Sequence, residues 1–264
     1  MQQDIPPSQI LTDVMDPARA TALATTLGIS RAPDAPLIPF GHQVHFWQAL
    51  PPEALGRDGH PARGGFLPDL GLPRRMWAGG RLAFHQPLMP GIVARKTSTI
   101  EAVTRKQGRS GPLGFVTLRH DIEQAGTLAV TEWQDIVYRE DVVAGGAGPT
   151  PPRAPTDAQI SEQHSFSSSL LFRYSALTFN GHRIHYDADY CRDIEGYPGL
   201  VVHGPLLAQL LMLMAERTGT PLRRFSFRAT SPLFHFETAT LCRKGSRLWV
   251  SGPDGRQCME ADAG

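Results

Sequence analysis

Cysteine is scarce in this sequence, which has three cysteines among its 264 residues. Cys191, Cys242 and Cys258 are odd in number, lie far apart and form no CxxC pair. A framework of disulfides needs paired and more closely spaced cysteines. The sequence therefore predicts free thiols and favours a reducing cytoplasm.

Long apolar runs are also missing. No stretch reaches the ~20 apolar residues that a membrane-spanning helix needs. The N-terminal stretch MQQDIPPSQILTDVMD has no basic region followed by an apolar one, so no secretory signal is expected. We predict a cytoplasmic protein without a membrane partner.

Neither sign of charge is in excess, because 26 Lys+Arg stand against 25 Asp+Glu. This balance argues against nucleic acid or an anionic membrane as the main partner. Arginine greatly outnumbers lysine, and the short Arg-rich stretch Pro73–Arg75 could hold a phosphate. The length suits one large domain or two small ones.

One segment breaks the composition of the chain. Gly, Pro, Ala and Thr dominate residues 144–163, and such a segment cannot bury enough apolar surface to fold alone. We interpret it as a linker between an N-terminal domain, residues 1–143, and a C-terminal domain, residues 164–264.

The first domain is predicted to contain one helix and four strands. The helix spans about Ser8 to Leu27, with Gly28 as its C-terminal cap. The strand-like runs are RMWAGGRLAFH, IVARKTSTIEAVTRK, LGFVTLRHDIE and TLAVTEWQDIVYRE. In the third run apolar and polar residues alternate from Val116 to Ile122, which is typical of a half-buried antiparallel strand.

The second domain is predicted to surround a helix with strands. SFSSSLLFRYSAL is interpreted as a strand, and His203–Gly219 as a helix with Pro205 in its first turn. Leucine and methionine cover all sides of this helix, so neighbouring elements must enclose it. Four strand-like runs follow: LRRFSFRATSPL, FHFETATLCRK, SRLWVSG and RQCMEADA. A sheet curled around one buried helix is the expected result.

The stretch TFNGHRIHYDADY, Thr178 to Tyr190, concentrates the polar chemistry of the chain. It could be a metal site, a catalytic site or a polar loop. Zn²⁺ accepts ligands such as His182, His185 and Asp187, but no third histidine or cysteine completes the set. We therefore predict no metal.

The pairing of FNGHRIH with GYPGLVVHGPLLAQLL resembles the MaoC-like, (R)-specific enoyl-CoA hydratase family. Asn180 falls where that family has an aspartate, His185 at its catalytic histidine, and His203-Gly204 at the start of its central helix. NGHRIHYD, together with GRDGHPARGGFLPDLGLPRRMWAGGRLAFHQPL, is similar to the branch of mesaconyl-C4-CoA hydratases and 3-hydroxyacyl-thioester dehydratases. The resemblance implies an α+β double hot-dog fold, in which two antiparallel sheets each wrap a central helix.

The resemblance also implies roles for three catalytic residues. His185 is the expected general acid and base, since imidazole titrates near neutral pH. Asn180 cannot take a proton as an aspartate does, so it is expected to hold the water, with His185 as the only acid–base group or with help from Asp187. The free amide of Gly204 at the helix start is expected to donate to the enolate oxygen. The alternatives are a structural histidine, a turn asparagine and plain helix-entry geometry.

Further residues are expected to bind the substrate. Arg183 could fork onto a carboxylate, although an exposed loop arginine is an equal alternative. The other candidates along the approach are His182, Tyr174, Ser175, Thr178 and His203. The first domain has no counterpart of the Asn180/His185 pair, so it is predicted to be non-catalytic and to form a wall of the acyl tunnel. Weak candidates for the CoA phosphates are Arg74, Arg75, Arg95 and Lys96.

The resulting prediction is a hydratase that adds water reversibly to a short unsaturated dicarboxylyl-CoA thioester. The preferred reaction is mesaconyl-C4-CoA to citramalyl-CoA, without cofactor, in a homodimer or higher homo-oligomer. The alternatives are an itaconyl-CoA hydratase, a 3-hydroxyacyl-thioester dehydratase of fatty-acid metabolism and a thioester hydrolase. A non-catalytic acyl-thioester-binding module is the alternative from another class.

Overall fold

The computed structural model describes residues 8–108, 111–141 and 150–264. Ten strands and four α-helices make up this part of the chain, together with three short 3-10 turns at Gly41–Val44, Pro52–Ala54 and Arg183–His185. The helices are α1 (Pro17–Thr26), α2 (Ser168–Thr178), α3 (Ala188–Asp193) and α4 (Gly204–Glu216). The strands are β1 (Gln9–Asp13), β2 (Arg74–Phe84), β3 (Ala94–Gly108), β4 (Gly111–Gln124), β5 (Thr127–Arg139), β6 (Ile160–Ser165), β7 (Arg224–Ala229), β8 (Thr238–Lys244), β9 (Arg247–Ser251) and β10 (Gln257–Ala263).

All ten strands belong to one antiparallel sheet in the order β1-β3-β4-β5-β2-β7-β10-β9-β8-β6. From its outer edge inwards, the first half has the order β1-β3-β4-β5-β2. The second half has the equivalent order β6-β8-β9-β10-β7, so the chain repeats one five-stranded arrangement. The halves meet where β2 pairs with β7, from Gly79 opposite Arg228 to Ala83 opposite Arg224.

Helix α4 packs against the middle of this sheet. Nine of its 13 residues are buried, in agreement with an apolar surface on all sides. The helix packs against β2 of the first half and β7, β9 and β10 of the second. The core is therefore shared between the halves. Within the described ranges, no helix combines the length and the apolar character needed to cross a membrane.

Most of the predicted elements are confirmed. The eight strand-like runs correspond to β2–β5 and β7–β10, and the alternating run in β4 buries Val116, Leu118, His120 and Ile122. The apolar helix is α4. Gly28 lies at φ +70° just after α1, and its N–H bonds to Thr25, as expected for a C-terminal glycine.

Two predicted elements are wrong. The helix predicted from Ser8 begins only at Pro17, because Gln9–Asp13 pairs with β3 and the Asp16 side chain caps the helix. SFSSSLLFRYSAL contains helix α2 instead of a strand. Ser167 caps this helix by accepting from the Leu170 N–H at 3.1 Å, and the buried Leu171 and Tyr174 share one face.

The two separate sheets of the prediction are also corrected. Pairing between β2 and β7 joins both halves into one sheet, and the long central helix belongs to the second half alone. The end of the predicted linker lies inside β6, which starts at Ile160. Residues 1–7, 109–110 and 142–149 lie outside the described part. The Gly-rich start of the predicted linker belongs to these residues.

Candidate active site

His185 lies directly against the start of helix α4. Its ring stacks on that of His203, the residue that precedes the helix, with centroids 3.6 Å apart and planes 18° apart. Its Nδ1 lies 2.8 Å from the carbonyl oxygen of Val201. A carbonyl can only accept, so Nδ1 carries the proton and the neutral ring has its lone pair on Nε2. The ring is buried, and its Nε2 bonds to no other described residue.

Helix α2 fixes the other side of His203. The Ser175 Oγ lies 2.8 Å from Nε2 of His203, and the Tyr174 ring meets the same imidazole edge-on at 5.0 Å. Within this group two buried polar atoms, the Tyr174 hydroxyl and Nδ1 of His203, have no hydrogen-bond partner among the described residues. Both are therefore available to a bound molecule. Of these predicted residues, His203 contacts His185 directly, and Ser175 and Tyr174 contact His203.

Free amides occur at the first turn of α4. The first hydrogen bond of the helix joins the Leu207 N–H to the His203 carbonyl at 3.1 Å. Pro205 has no N–H, and the amides of Gly204 and Leu206 bond to no other described residue. A Cβ at Gly204 would come no closer than 4.0 Å to another residue, the nearest atom being the Trp77 carbonyl oxygen. The open space leaves this amide accessible to an oxygen that carries negative charge.

Asn180 lies in the loop that leads from α2 to His185. Its backbone N–H bonds to Ser175 O at 2.9 Å, and its side-chain Oδ1 accepts from the His182 N–H at 3.1 Å. The side chain thus closes a turn and still has its NH₂ group to offer. Thr178 is engaged locally, because its hydroxyl donates to the Tyr174 carbonyl at 2.7 Å.

Arg183 is occupied by neighbours in its own loop. Its Nε and Nη2 donate to one oxygen of Asp187, at 3.0 and 2.7 Å, and its guanidinium covers the Tyr190 ring at 4.3 Å. Asp187 itself caps α3 by accepting from the Tyr190 N–H at 2.9 Å. The pair is partly exposed. Because each side chain is bound to the other, neither is free to act beside His185. The geometry therefore gives no support to Asp187 as an assisting acid.

A loop of the first half docks onto this segment. The Arg183 N–H bonds to the Asp58 carbonyl at 2.9 Å, and a Cβ at Gly181 would lie 2.5 Å from the Gly59 carbonyl oxygen. Gly59 has φ +85°, and a Cβ there would collide with the Gly181 carbonyl oxygen. Only glycine at both positions permits this close approach of the two backbones.

The docked loop brings a carboxylate and an imidazole into the site. Asp58 Oδ2 lies 3.0 Å from His60 Nδ1, and the His60 ring lies 4.4 Å from the His182 ring. The His182 ring is in turn 5.5 Å from that of His185. His60, His182, His185 and His203 thus form a continuous row of four imidazoles, called here the histidine row.

Burial determines the charge of the inner part of this row. It lowers the pKa of His182 to about 3 and that of His185 to about 3, in each case with a further contribution from a neighbouring histidine. Burial also holds the pKa of His203 well below its usual value. These three rings are therefore neutral at pH 7. Although burial raises the pKa of Asp58, its hydrogen bond to His60 and the charge of that histidine hold it below the ordinary range.

One group of side chains in the described residues has the spacing of a metal site. Ligand atoms of Asp58, His60 and His182 all lie within 4.8 Å of one another. This group shares only His182 with the ligand set considered from the sequence. His185 and Asp187 have other partners, namely Val201 and Arg183.

The candidates for the CoA phosphates are separated in space. Arg74 is paired with the buried Glu195, and Arg75 donates to the Pro61 carbonyl at 2.6 Å. Both line a cavity of about 40 Å³ that also touches His182. Arg95 and Lys96 belong to β3, which β4 and β5 separate from β2, so they lie away from this cavity.

Sequence reasoning missed Asp58 and His60. The stretch GRDGHPARGG contributes to the resemblance, but the resemblance implies no role for its histidine. The available signal was a histidine two residues after an aspartate, with a glycine between them.

Comparisons with known proteins agree with this fold. A MaoC-like dehydratase of Phytophthora capsici is structurally similar, with a TM-score of 0.69 and 13% identity over 98% of this chain and 95% of that one. A Mycobacterium tuberculosis protein whose structure is described as a double hotdogfold gives a TM-score of 0.57 and 15% identity, over 98% and 96% of the two chains. These similarities show a fold of the hot-dog class.

The family follows from the sequence itself. The model of the hydroxyacyl-thioester dehydratase type 2 family matches residues 40–235, and the chain belongs to this family. It is 47% identical to the mesaconyl-C(4)-CoA hydratase of Chloroflexus aurantiacus over 259 residues, which cover 92% of this chain and 90% of that protein. The resemblance inferred from FNGHRIH and the His203-Gly204 helix start is confirmed.

Proposed function

We propose that this protein is a hydro-lyase that adds water to the C=C bond of mesaconyl-C4-CoA and forms citramalyl-CoA. The observation that carries the proposal is the position of His185, with Nδ1 held by Val201 and the ring stacked on the residue before α4. The identity to a mesaconyl-C(4)-CoA hydratase supports this choice of substrate.

In this mechanism His185 handles the proton of the water. Its Nε2 accepts a proton as the water oxygen bonds to the β-carbon, and the π electrons of the C=C bond move toward the thioester as an enolate. The proton on His185 then passes to the α-carbon, so that H and OH have been added across the bond. Burial, which keeps the ring neutral before the reaction, also favours the return of the proton.

The start of α4 stabilises the enolate. The Gly204 N–H is unpaired among the described residues and lies at the positive end of the helix dipole, so it can donate to the thioester oxygen as charge develops there. Asn180 is proposed to hold the attacking water through its free NH₂ group, since its Oδ1 is engaged by His182. His203, Ser175 and Tyr174 enclose the reacting end of the substrate.

The proposal also covers the arrangement of the two halves and the cellular location. The repeated strand order supports two hot-dog units joined edge to edge, with the first unit as a wall of the acyl tunnel. Homo-oligomerisation stays a prediction. A cytoplasmic location rests on three cysteines that are all free and buried.

Dehydration of a 3-hydroxyacyl thioester is the second candidate, and the description of the matching family favours it. The reaction is the reverse of the same chemistry, in which His185 takes the α-proton and returns it to the leaving hydroxyl. The two candidates differ in acyl group and not in mechanism.

A substrate panel tests the proposal. The purified enzyme is incubated with mesaconyl-C4-CoA, itaconyl-CoA, crotonyl-CoA and a 3-hydroxyacyl-CoA, while enoyl absorbance and product mass are followed. We expect the highest kcat/KM with mesaconyl-C4-CoA, a product heavier by one water, and a kcat about 10³-fold lower in His185→Gln. A preference for 3-hydroxyacyl-CoA selects the second candidate. Release of free CoA indicates a thioester hydrolase, and inertness toward the whole panel indicates a binding module.

A further inference from the structure

The proposed substrate contains a charge that the site must accommodate. In mesaconyl-C4-CoA the free carboxylate is attached to the β-carbon, which is also the carbon that receives the hydroxyl. The group that binds this carboxylate must therefore lie within a few ångströms of the reacting water and of His185. This requirement rests on the proposed function.

Arg183 does not meet this requirement. Two of its nitrogens are bound to Asp187, and its Nη1 points to the Arg57 carbonyl at 3.3 Å. To reach a substrate, it would have to break an ion pair and leave the Tyr190 ring that it covers. The carboxylate therefore needs another partner.

The histidine row contains suitable unpaired nitrogens. His182 is the neighbour of His185 on the side away from α4, and neither of its ring nitrogens bonds to another described side chain or backbone group. The His60 ring follows at 4.4 Å, and its Nε2 is likewise unpaired in the described part of the chain. Both rings are partly exposed, so a ligand can reach them.

Asp58 prepares His60 to bind an anion. It accepts the Nδ1–H at 3.0 Å, and its second oxygen holds the His60 backbone N–H at 3.1 Å. When both ring nitrogens carry a proton, Nδ1–H donates to Asp58 and Nε2–H remains as a charged donor for an anion. The Arg75 guanidinium contributes further positive potential close to His182.

We propose that His60 and His182 together bind the β-carboxylate of the substrate, with Asp58 as the residue that positions His60. The first half of the chain thereby supplies a specificity determinant to a reaction whose acid–base group belongs to the second half. Contact between Gly59 and Gly181 fixes the two loops against each other, so the two rings are arranged before the substrate arrives.

The loss of selectivity in variants of His60 tests this inference. Wild type, His60→Phe, Asp58→Asn and His60→Gln are compared on mesaconyl-C4-CoA and on crotonyl-CoA, which has a hydrogen in place of the carboxylate. Crotonyl-CoA is measured as a substrate or, where it is not turned over, as a competitive inhibitor. His164→Phe on β6, an edge strand of the sheet, is the matched control.

We expect His60→Phe to lower kcat/KM for mesaconyl-C4-CoA by about 10- to 100-fold, the range for a hydrogen bond to a charged group. The kcat/KM for crotonyl-CoA, or its inhibition constant where it is not turned over, should change less than about twofold. His60→Gln, which retains an N–H donor, should recover part of the loss, and Asp58→Asn should lie between wild type and His60→Phe.

Two other outcomes would overturn the inference. Equal losses on both thioesters would mean that His60 only supports the loop. A stoichiometric divalent ion in enzyme purified without a His-tag, removed by a chelator together with activity, would assign Asp58, His60 and His182 to a metal. Failure of the proposed function is distinguishable from both, because the wild-type enzyme itself would then be inactive on mesaconyl-C4-CoA.

Discussion

The two halves of this protein share a strand order but differ in what they enclose. In the second half the sheet holds α4, whose free first turn lies against His185. In the first half the corresponding interior contains the short turn Gly41–Val44 and a network of polar side chains. The same five-stranded arrangement thus supports a histidine at a free helix start in one half and a hydrogen-bonded network around a buried carboxylate in the other.

The network of the first half is centred on Glu132. His42 Nε2 lies 2.8 Å from one of its oxygens, and Gln43 and Gln134 donate to the carboxylate at 2.8 to 2.9 Å. Burial raises the pKa of Glu132, but the hydrogen bond and charge of His42 outweigh it and lower the pKa to about 2. All partners of this carboxylate come from the protein, which is the arrangement of a structural group. The difference teaches that a buried histidine marks the active half where it lies against a free helix start, as His185 does, and not where it is paired with a carboxylate, as His42 is.

Exchange of one histidine in each half tests this comparison most strongly. His185→Gln should lower kcat by about 10³-fold, because general acid–base catalysis typically contributes 10²–10⁴. His42→Gln removes an equally buried imidazole and should leave kcat within about threefold of wild type. Steady-state kinetics on mesaconyl-C4-CoA measures both. Comparable losses in the two variants would contradict the division between an active and a structural half.

Removal of the carboxylate at the centre of the network gives the next largest effect. Glu132→Ala leaves His42 and two glutamines without their acceptor, and we expect the free energy of unfolding to fall by about 3–5 kcal/mol. Glu162→Ala, which breaks an exposed pair with Arg217, should cost less than about 1 kcal/mol. Denaturant titrations compare the two variants. A small loss in Glu132→Ala would show that the network does not hold the first half together.

Strands β2–β5 and β7–β10 and helix α4 were predictable because their signals are local. Alternation from Val116 to Ile122 and an apolar surface around α4 survive in the structure, since each reports which faces are buried. Helix α2 was missed because its serine-rich start has no clear period, although Ser167 is a cap and Leu171 and Tyr174 have helical spacing. A cap followed by this spacing is the signal that favours a helix.

The candidate site was predictable only in its second-half part. FNGHRIH and the His203-Gly204 helix start indicate which residues meet, and the structure brings His185 onto His203. His60 could not be found in this way, because its contact with His182 depends on two loops that meet through Gly59 and Gly181. The Arg183–Asp187 pair was not predicted, although the two residues have i,i+4 spacing.

The response to acid should sharpen the comparison from the side of stability. Burial lowers the pKa of His120 on β4 to about 4, while an unfolded chain has a histidine pKa near ~6.5. Glu132, Lys96, Gln134 and His42 face this ring, and Ser98 Oγ lies 2.7 Å from its Nδ1. Below the unfolded pKa the unfolded chain binds more protons, so the stability contributed by neutral His120 falls as the pH drops from about 6.5 to 4.

We therefore expect His120→Asn to flatten the dependence of unfolding free energy on pH between these values. The slope of unfolding free energy against pH should fall by about 1.4 kcal/mol per pH unit, which corresponds to the uptake of one proton. Denaturant titrations at several pH values measure the slope, and His164→Asn on β6 serves as the control. His164 is only half buried, so its replacement should leave most of the slope unchanged. An unchanged slope in His120→Asn would assign the acid response to other groups.

The smallest expected effect concerns the only protein hydrogen bond that the His203 ring makes among the described residues. Ser175 Oγ holds Nε2 of His203, and His203 in turn supports the His185 ring. Ser175→Ala should lower kcat about fivefold, corresponding to roughly 1 kcal/mol for one hydrogen bond, with KM nearly unchanged. Ser169→Ala, at an exposed position of the same helix, should leave kcat at the wild-type level. A higher KM with an unchanged kcat would mean that Ser175 contacts the substrate and does not act through His203. The second half would then use Ser175 to recognise its ligand and not to position His203.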